Sequence, residues 1–229
     1  MSFMPAKTLD PVRIIVAVLA VYGVTLLAAT GMRAFAVAPF HIVALGDSLT
    51  AGYGLADKEG FVPALQAALA KAGIAATVAN AGVSGDTASD GLARLDWSVP
   101  QGTDAVIVEL GANDMLRGIA PDVTRAALDA ILQRLRERHI SVLLCGMRAA
   151  PNLGADYAAA FERIYPELAA KYRVPLYPFF LDGVAGKLDL EQGDGMHPNP
   201  AGVAAIVAGI LPEVEDLVGR AQNRKQNPS

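Results

Sequence analysis

The stretch Ile42-Val43-Ala44-Leu45-Gly46-Asp47-Ser48-Leu49-Thr50-Ala51-Gly52-Tyr53-Gly54 decides the fold of this chain. Four apolar residues followed at once by Gly, Asp and Ser predict a buried parallel strand that ends in a tight turn. Because Gly46 has no Cβ, the chain can turn sharply there and lift Ser48 clear of the sheet edge. Ligands of open α/β sheets lie beyond the carboxyl ends of the strands, so Ser48 is predicted to face a substrate. The alternative is that Asp47 or Ser48 only caps a following helix.

The first 38 residues differ in composition from the rest of the chain. Two basic residues precede an uncharged apolar run from Ile14 to Met32, and Ala34-Phe35-Ala36 follows it. This is the layout of a secretory signal peptide with an A-x-A cleavage site. The run is also close to the roughly 20 residues that span a bilayer, so a retained membrane anchor is the rival interpretation, and a buried core helix is the third. Both favoured interpretations predict that the remainder is exported to the periplasm.

Residues 39–220 are enough for one well-buried domain, and a polar tail is predicted at residues 221–229. The net charge of −4 and the lack of a Lys/Arg stripe argue against nucleic acid as a partner. The single cysteine, Cys145, excludes an internal disulfide and a cysteine-cluster metal site, and its apolar surroundings predict a buried thiol. No Gly-rich phosphate loop of the G-x-x-x-x-G-K-[ST] type occurs. We expect neither a cofactor nor a metal.

Five apolar segments alternate with helical patterns along the domain. Besides the strand before Ser48, strands are predicted at Ala75–Ala79, Asp104–Leu110, Ile140–Cys145 and Val174–Phe180, the last as an edge strand because it contains two prolines. Helices are predicted at Gly60–Gly73, from an N-cap at Asp86 or Thr87 through Leu95, and at Asp122–Arg138, Ala155–Tyr172 and Pro200–Val218. In the helix at 122–138, Val123, Ala127, Ile131 and Leu135 are predicted to share the buried face. The alternation predicts an α/β domain with a five-stranded parallel sheet covered on both faces.

Ser48 needs a base before it can act as a nucleophile, and a carboxylate must orient that base. The chain has three histidines. His41 begins a strand at the wrong edge of the sheet, and His139 lies between a helix and a strand. Only His197 follows an acid by three residues in a glycine-containing turn, so Asp194 can reach one ring nitrogen while the other faces outward. The alternative for His197 is a solvated loop histidine.

Acyl transfer also needs donors for the oxyanion of a tetrahedral intermediate. Gly82 can offer a backbone N–H without a side chain in the way, Asn113 a side-chain N–H, and Ser48 its own backbone N–H. All three follow strand ends on one side of the sheet. The alternatives are a turn glycine at Gly82 and an Asx-turn residue at Asn113.

Four sequence blocks in this chain resemble those of the SGNH (GDSL) hydrolase family, in the family's order. They are Gly46-Asp47-Ser48-Leu49, Gly82, Gly111-Ala112-Asn113-Asp114 and Asp194-Gly195-Met196-His197. The stretches LGDSLTAGYG and DGMHPN are similar to the periplasmic subgroup of thioesterase I, lysophospholipases and arylesterases. The resemblance implies a flavodoxin-like three-layer α/β/α sandwich with Ser48 as nucleophile, His197 as base and Asp194 as its orienting acid. It also implies an oxyanion hole of Ser48, Gly82 and Asn113.

The expected function is that of a serine ester hydrolase, cleaving carboxylic esters and thioesters through an acyl-enzyme on Ser48. The α/β-hydrolase family is excluded because its G-x-S-x-G elbow would need glycine where Thr50 stands. The segment Met115–Pro121, with Leu116 and Ile119, is expected to form a movable wall for the acyl chain, or else a plain connection. A carbohydrate O-acetylesterase and a catalytically inactive, membrane-tethered binding module are the alternative functions. Acyl length, and oxygen ester against thioester, stay open.

Overall fold

The computed structural model describes residues 40–226 of the chain. The predicted signal peptide or anchor at residues 1–38 lies outside the described residues, as do residues 227–229. Within residues 40–226, no helix is both long enough and apolar enough to cross a membrane.

The predicted five-stranded parallel sheet is confirmed. Its strands are β1 (Phe40–Gly46), β2 (Ala76–Gly82), β3 (Ala105–Glu109), β4 (Ser141–Cys145) and β5 (Leu176–Tyr177). They lie in the order β2-β1-β3-β4-β5, and every neighbouring pair is parallel. The chain places β2 on one side of β1 and β3 on the other. The crevice between the carboxyl ends of β1 and β3 is therefore where such sheets bind ligands.

Helices cover the sheet on two faces. In the described part of the chain they are α1 (Ser48–Ala51), α2 (Phe61–Lys71), α3 (Ala88–Ala93), α4 (Leu95–Ser98), α5 (Ala112–Leu116), α6 (Pro121–Glu137), α7 (Ala155–Glu162), α8 (Ile164–Tyr172) and α9 (Pro200–Gln226). Helix α2 packs against α9, whereas α3 and α8 both pack against α6. These two groups on opposite faces of the sheet form the outer layers of the predicted α/β/α sandwich.

The central strands are as apolar and buried as their sequences predict. Every residue of β3 and β4 is buried, and the Cys145 thiol is buried with them as expected. Burial raises the pKa of that thiol well above its ordinary value. Helix α6 buries a stripe of side chains at helical spacing: Thr124, Ala127, Leu128, Ile131, Leu132 and Leu135. Val123 was predicted on this stripe and is 48% exposed, since it lies at the margin of the stripe in the first turn of the helix.

Two predicted elements are shorter than expected, and both contain proline. The strand predicted at 174–180 pairs only at Leu176–Tyr177, since the flanking prolines cannot donate to the ladder, although its edge position is confirmed. The helix predicted at 155–172 is interrupted at Arg163. Pro166 has no N–H for the carbonyl four residues earlier, and its ring crowds the turn before it.

Three other elements differ from their predicted bounds: two are longer and one is split. Strand β2 extends to Gly82, since residues 80–82 pair with the end of β1. The helix predicted from residue 87 through Leu95 is split into α3 and α4, with Thr87 as N-cap of α3 in a capping box. Helix α9 continues past the predicted end at Val218 to Gln226, and Ala221 is buried. The tail predicted at 221–229 thus begins inside a helix.

Candidate active site

The nucleophile turn follows directly from the end of β1. Asp47 is the N-cap of α1 and its side chain accepts a hydrogen bond from the backbone N–H of Leu49 at 3.0 Å. Asp47 therefore caps the helix, although capping is not its only contact, and Ser48 is the first residue of the helix. A Cβ on Gly46 would lie 2.0 Å from Thr50 Oγ1. Glycine is needed at this position for close packing against the turn.

Ser48, His197 and Asp194 form one chain of hydrogen bonds. Ser48 Oγ lies 2.9 Å from His197 Nε2, and His197 Nδ1 lies 2.6 Å from Asp194 Oδ2. The other carboxylate oxygen accepts the backbone N–H groups of Met196 and His197, each at 3.0 Å. The hydrogen bonds from His197 and Met196 lower the pKa of Asp194 to about 2. An ionised Asp194 fixes the proton on Nδ1, so Nε2 is left to accept the Ser48 proton.

The ring of Tyr53 lies against the proposed base. Its centroid is 4.8 Å from that of the His197 ring, tilted by 41°. Tyr53 follows the nucleophile turn and is 54% exposed, so one face of the histidine is covered by a side chain at the cavity mouth. Tyr53 belongs to the stretch from Ile42 to Gly54, but the sequence does not reveal its contact with His197, which lies far along the chain.

Asn113 reaches the Ser48 turn from the end of β3. It is the second residue of α5, whose N-cap Gly111 has a φ of 117°. Its amide nitrogen donates to Asp47 Oδ2 and to the backbone carbonyl of Asp86, both at 3.0 Å. The structure thus brings Asn113 to the nucleophile turn as predicted. The amide nitrogen therefore has an acceptor for each of its two hydrogens.

Gly82 does not offer the free donor that the sequence predicted. Its N–H donates to Asn80 Oδ1 at 2.9 Å, and Gly82 is not among the residues that line the cavity beside Ser48. A Cβ on Gly82 would lie 2.3 Å from the Ala51 nitrogen, so this glycine allows β2 to approach α1. Gly85 does line the cavity, has a φ of 89°, and its N–H meets no acceptor within residues 40–226. Because β2 runs to Gly82, the loop starts later than the sequence predicted, and Gly85 rather than Gly82 lies in the loop beside the cavity.

Arg94 is a residue of the site that sequence reasoning missed. It lies between α3 and α4, and its guanidinium donates to Asp86 Oδ2 at 2.6 Å, to the Ala81 carbonyl at 2.8 Å and to the Gly46 carbonyl at 2.9 Å. It therefore ties the ends of β1 and β2 to the loop that presents Gly85. Its signal in the sequence was weak, since a single arginine on a short helix is usually solvated.

A cavity of about 680 Å³ opens beside Ser48 and is lined mainly by apolar side chains. Leu116 lies on its wall as predicted. The expectation for Ile119 was wrong: it is not among the lining residues, and its carbonyl accepts the Tyr157 hydroxyl at 2.8 Å. The lining residues that were not predicted come largely from the loops after β4 and β5, and include Met147, Ala149, Pro151, Phe179 and Leu181.

No group of three or more His, Cys, Asp or Glu side chains within residues 40–226 is arranged to hold a metal ion.

Comparison with known proteins agrees with this geometry. Residues 44–205 match the GDSL-like Lipase/Acylhydrolase family. The chain is 39% identical over 178 residues to Esterase TesA of Pseudomonas aeruginosa, covering 77% of this chain and 89% of the relative. It is 40% identical over 178 residues to Thioesterase 1/protease 1/lysophospholipase L1 of Escherichia coli, covering 77% and 84%.

Solved structures show the same likeness. The crystal structure of AlinE4, an SGNH-hydrolase family esterase, is 47% identical with a TM-score of 0.67, covering 78% of this chain and 96% of that one. The crystal structure of TesA is 39% identical with a TM-score of 0.74, covering 77% and 99%. The motifs, the fold and these likenesses agree, and the chain belongs to the GDSL-like lipase/acylhydrolase family, the SGNH hydrolases.

Proposed function

We propose that this protein is a serine ester hydrolase that cleaves carboxylic esters and thioesters through an acyl-enzyme on Ser48. The observation that carries the proposal is the hydrogen-bonded chain from Ser48 Oγ through His197 to Asp194 at the mouth of an apolar cavity. This chain joins a nucleophile, a base and an orienting acid. The relatives named esterase and thioesterase support the class of reaction.

In the first step, His197 Nε2 takes the proton of Ser48 as Oγ attacks the carbonyl carbon of the ester. The negative charge that develops on the carbonyl oxygen is stabilised by backbone and side-chain donors. We assign these to the Ser48 N–H, the Gly85 N–H and the Asn113 amide, with Gly85 in place of Gly82. His197 then gives its proton to the leaving alcohol or thiol, and the acyl group remains on Ser48.

In the second step, water attacks the carbonyl carbon of the acyl-enzyme and gives a proton to His197. The bond from this carbon to Ser48 Oγ then breaks, His197 returns the proton to Oγ, and the carboxylic acid product leaves. Asp194 stays ionised throughout and stabilises the imidazolium in both steps. Since the pKa of Asp194 is held at about 2, it does not compete for the proton.

The cavity favours an acyl chain over an acetyl group. Its volume of about 680 Å³ is far more than an acetyl group fills, and Leu49, Met115, Leu116, Phe179 and Leu181 on its wall suit hydrocarbon. The alternative function of carbohydrate O-acetylesterase would need polar groups for a sugar, and this wall offers few.

Turnover of p-nitrophenyl esters from acetyl to dodecanoyl, together with the matching acyl-CoA thioesters, tests the proposal. We expect kcat/KM to rise with chain length and then level off, and Ser48→Ala to abolish turnover of all of them. A preference for acetyl esters would favour the O-acetylesterase. No Ser48-dependent turnover of any ester would favour the inactive binding module.

We also propose that the hydrolase domain works in the periplasm, either released after Ala36 or tethered through residues 14–32. Every proposed catalytic residue lies downstream of these residues. A truncated protein beginning at Val37 should be soluble and active without detergent. N-terminal sequencing of the exported protein separates the two forms: Val37 at the terminus supports cleavage, and Met1 or Ser2 in the membrane fraction supports a tether. An insoluble, inactive truncation would contradict the assignment of the leader as only an address or an anchor.

A further inference from the structure

Two buried carboxyl groups lie beneath the Ser48 turn, and the proposed reaction uses neither. Asp47 follows β1 and Glu109 ends β3, and both are fully buried. The strand register places Glu109 beside Gly46, where a Cβ would lie 2.6 Å from Glu109 Oε2. Burying a carboxyl group is costly, so a buried pair next to a nucleophile calls for a physical explanation.

Asp47 connects the nucleophile turn to the proposed oxyanion donor. Its Oδ1 accepts the Leu49 N–H at 3.0 Å and its Oδ2 accepts the Asn113 amide at 3.0 Å. The position of the Asn113 side chain is therefore set by where the Asp47 carboxylate points.

Glu109 in turn contacts both sides of the nucleophile. Its Oε2 accepts the Thr50 hydroxyl at 2.8 Å and lies 3.4 Å from the Asp47 backbone nitrogen. Asp47 and Thr50 are the residues one before and two after Ser48. The remaining oxygen, Oε1, is buried and has no partner in the hydrogen bonds of the described chain.

A proton on Glu109 accounts for this arrangement, since two adjacent buried carboxylates cannot both be charged cheaply. Burial and the nearby charge of Asp47 raise the pKa of Glu109 well above its ordinary value. Burial raises the pKa of Asp47 to about 6, while the hydrogen bonds from the Leu49 N–H and the Asn113 amide act in the opposite direction. A neutral Glu109 still accepts the Thr50 hydroxyl through Oε2.

The other groups around Asp47 and Glu109 do not take the proton from Glu109. The Thr50 hydroxyl from α1, the Cys145 thiol from β4 and the Tyr165 hydroxyl from α8 are neutral, the last two with raised pKa values. The charge of His197 acts on Asp47 and lowers its pKa. Asp47 is therefore the member of the pair that ionises.

We infer that Glu109 is a positioning residue, which as a neutral acid holds Asp47 and Thr50 and thereby fixes the Ser48 turn and the Asn113 amide for acyl transfer. The inference rests on the proposed function, because the quantity that Glu109 controls is the acylation rate. It does not touch substrate, and it acts through Asp47 and Thr50.

Three variants of the full chain test this with a p-nitrophenyl ester. Glu109→Gln keeps a neutral donor and an acceptor of the same shape, so its kcat should stay within about threefold of wild type. Glu109→Leu leaves Asp47 and Thr50 without their buried partner, so kcat should fall at least about thirtyfold with little change in KM. Ile107→Val on the same strand is the matched control, expected to lower Tm without lowering kcat.

A folded Glu109→Leu variant with wild-type kcat would overturn the inference, as would a Glu109→Gln variant as impaired as Glu109→Leu. If Glu109→Leu does not fold, Thr50→Val decides: a several-fold lower kcat at unchanged KM supports the inference, and an unchanged kcat overturns it. Failure of the proposed function has a different signature, since the wild-type protein itself would then show no Ser48-dependent turnover.

Discussion

The exchange Asp194→Asn replaces one atom of the proposed relay and leaves most of its surroundings intact. The asparagine carbonyl can still accept the Met196 and His197 backbone N–H groups that Oδ1 accepts at 3.0 Å. The change falls on Oδ2, which lies 2.6 Å from His197 Nδ1. An NH₂ group there donates to Nδ1, so the ring proton moves to Nε2 and faces Ser48. In that tautomer the imidazole cannot take the serine proton.

The expected loss is therefore catalytic. The equivalent exchange in the serine-protease triad lowers kcat by about 10⁴, which corresponds to roughly 5.5 kcal/mol of transition-state stabilisation. The loss of folding stability should be about 1 kcal/mol or less, since two backbone contacts persist and the side chain is 33% exposed. Stopped-flow hydrolysis of a p-nitrophenyl ester measures the first quantity and urea denaturation the second.

A matched control is available in the same loop. Asp189 is exposed, and its carboxylate makes no hydrogen bond or ion pair in the described part of the chain. Asp189→Asn removes the same charge and should leave kcat unchanged. If Asp194→Asn kept more than about a tenth of the wild-type kcat, the assignment of Asp194 as the acid that orients the base would be refuted.

The lowered pKa of Asp194 makes a second, independent readout. The folded value of about 2 lies below the ordinary 3.8, so ionised Asp194 stabilises the fold above pH 4, and this contribution is lost as the pH falls towards 2. Asp194→Asn should remove that part of the acid sensitivity. Identical acid titrations of stability in both proteins would contradict the hydrogen bonding described for this carboxylate.

The remaining predictions concern the nucleophile, the oxyanion hole and a packing glycine. Ser48→Ala and His197→Ala should each abolish turnover, and the double variant should be no worse, because residues that act as one unit are non-additive; losses that multiply would separate them. Asn113→Ala should lower kcat by about 10²–10³ with little change in KM in steady-state assays, and an effect on KM alone would assign it to binding. Gly82→Ala would place a Cβ 2.3 Å from the Ala51 nitrogen, and should cost about 1–3 kcal/mol in urea denaturation, whereas unchanged stability would contradict the packing role.

The parts of the site that depend on short stretches of chain were predictable from sequence. Ser48 follows a strand with an unbroken apolar run, and Asp194 reaches His197 across three residues in a turn. The edge position of β5 was likewise visible, because proline cannot pair on both sides. Local backbone chemistry decides each of these features.

The misses share a different cause. The sequence predicts that the second strand ends at Ala79 and that Gly82 lies in the loop, but pairing with β1, which local sequence does not reveal, extends β2 to Gly82. Ile119 was placed in the cavity by its nearness in sequence to Leu116, whereas the turn between α5 and α6 directs its backbone to Tyr157. Met147 and Phe179 line the cavity from the loops after β4 and β5, far along the chain from Ser48, and only the sheet order brings them to it.

Glu109 shows how a sequence can hold a signal that only the fold explains. An acid at the end of the run DAVIVEL is unexpected in a buried strand, but the sequence does not show what neutralises it. The register of β1 and β3 supplies the explanation, since it sets Glu109 against Gly46 and beside the Asp47 carboxyl group. An apolar side chain of similar size at this buried position would make the fold more stable than an acid does. Its contacts with the residues on either side of Ser48 indicate that Glu109 positions the active site and does not stabilise the core. The Glu109→Gln and Glu109→Leu variants distinguish this positioning from simple packing.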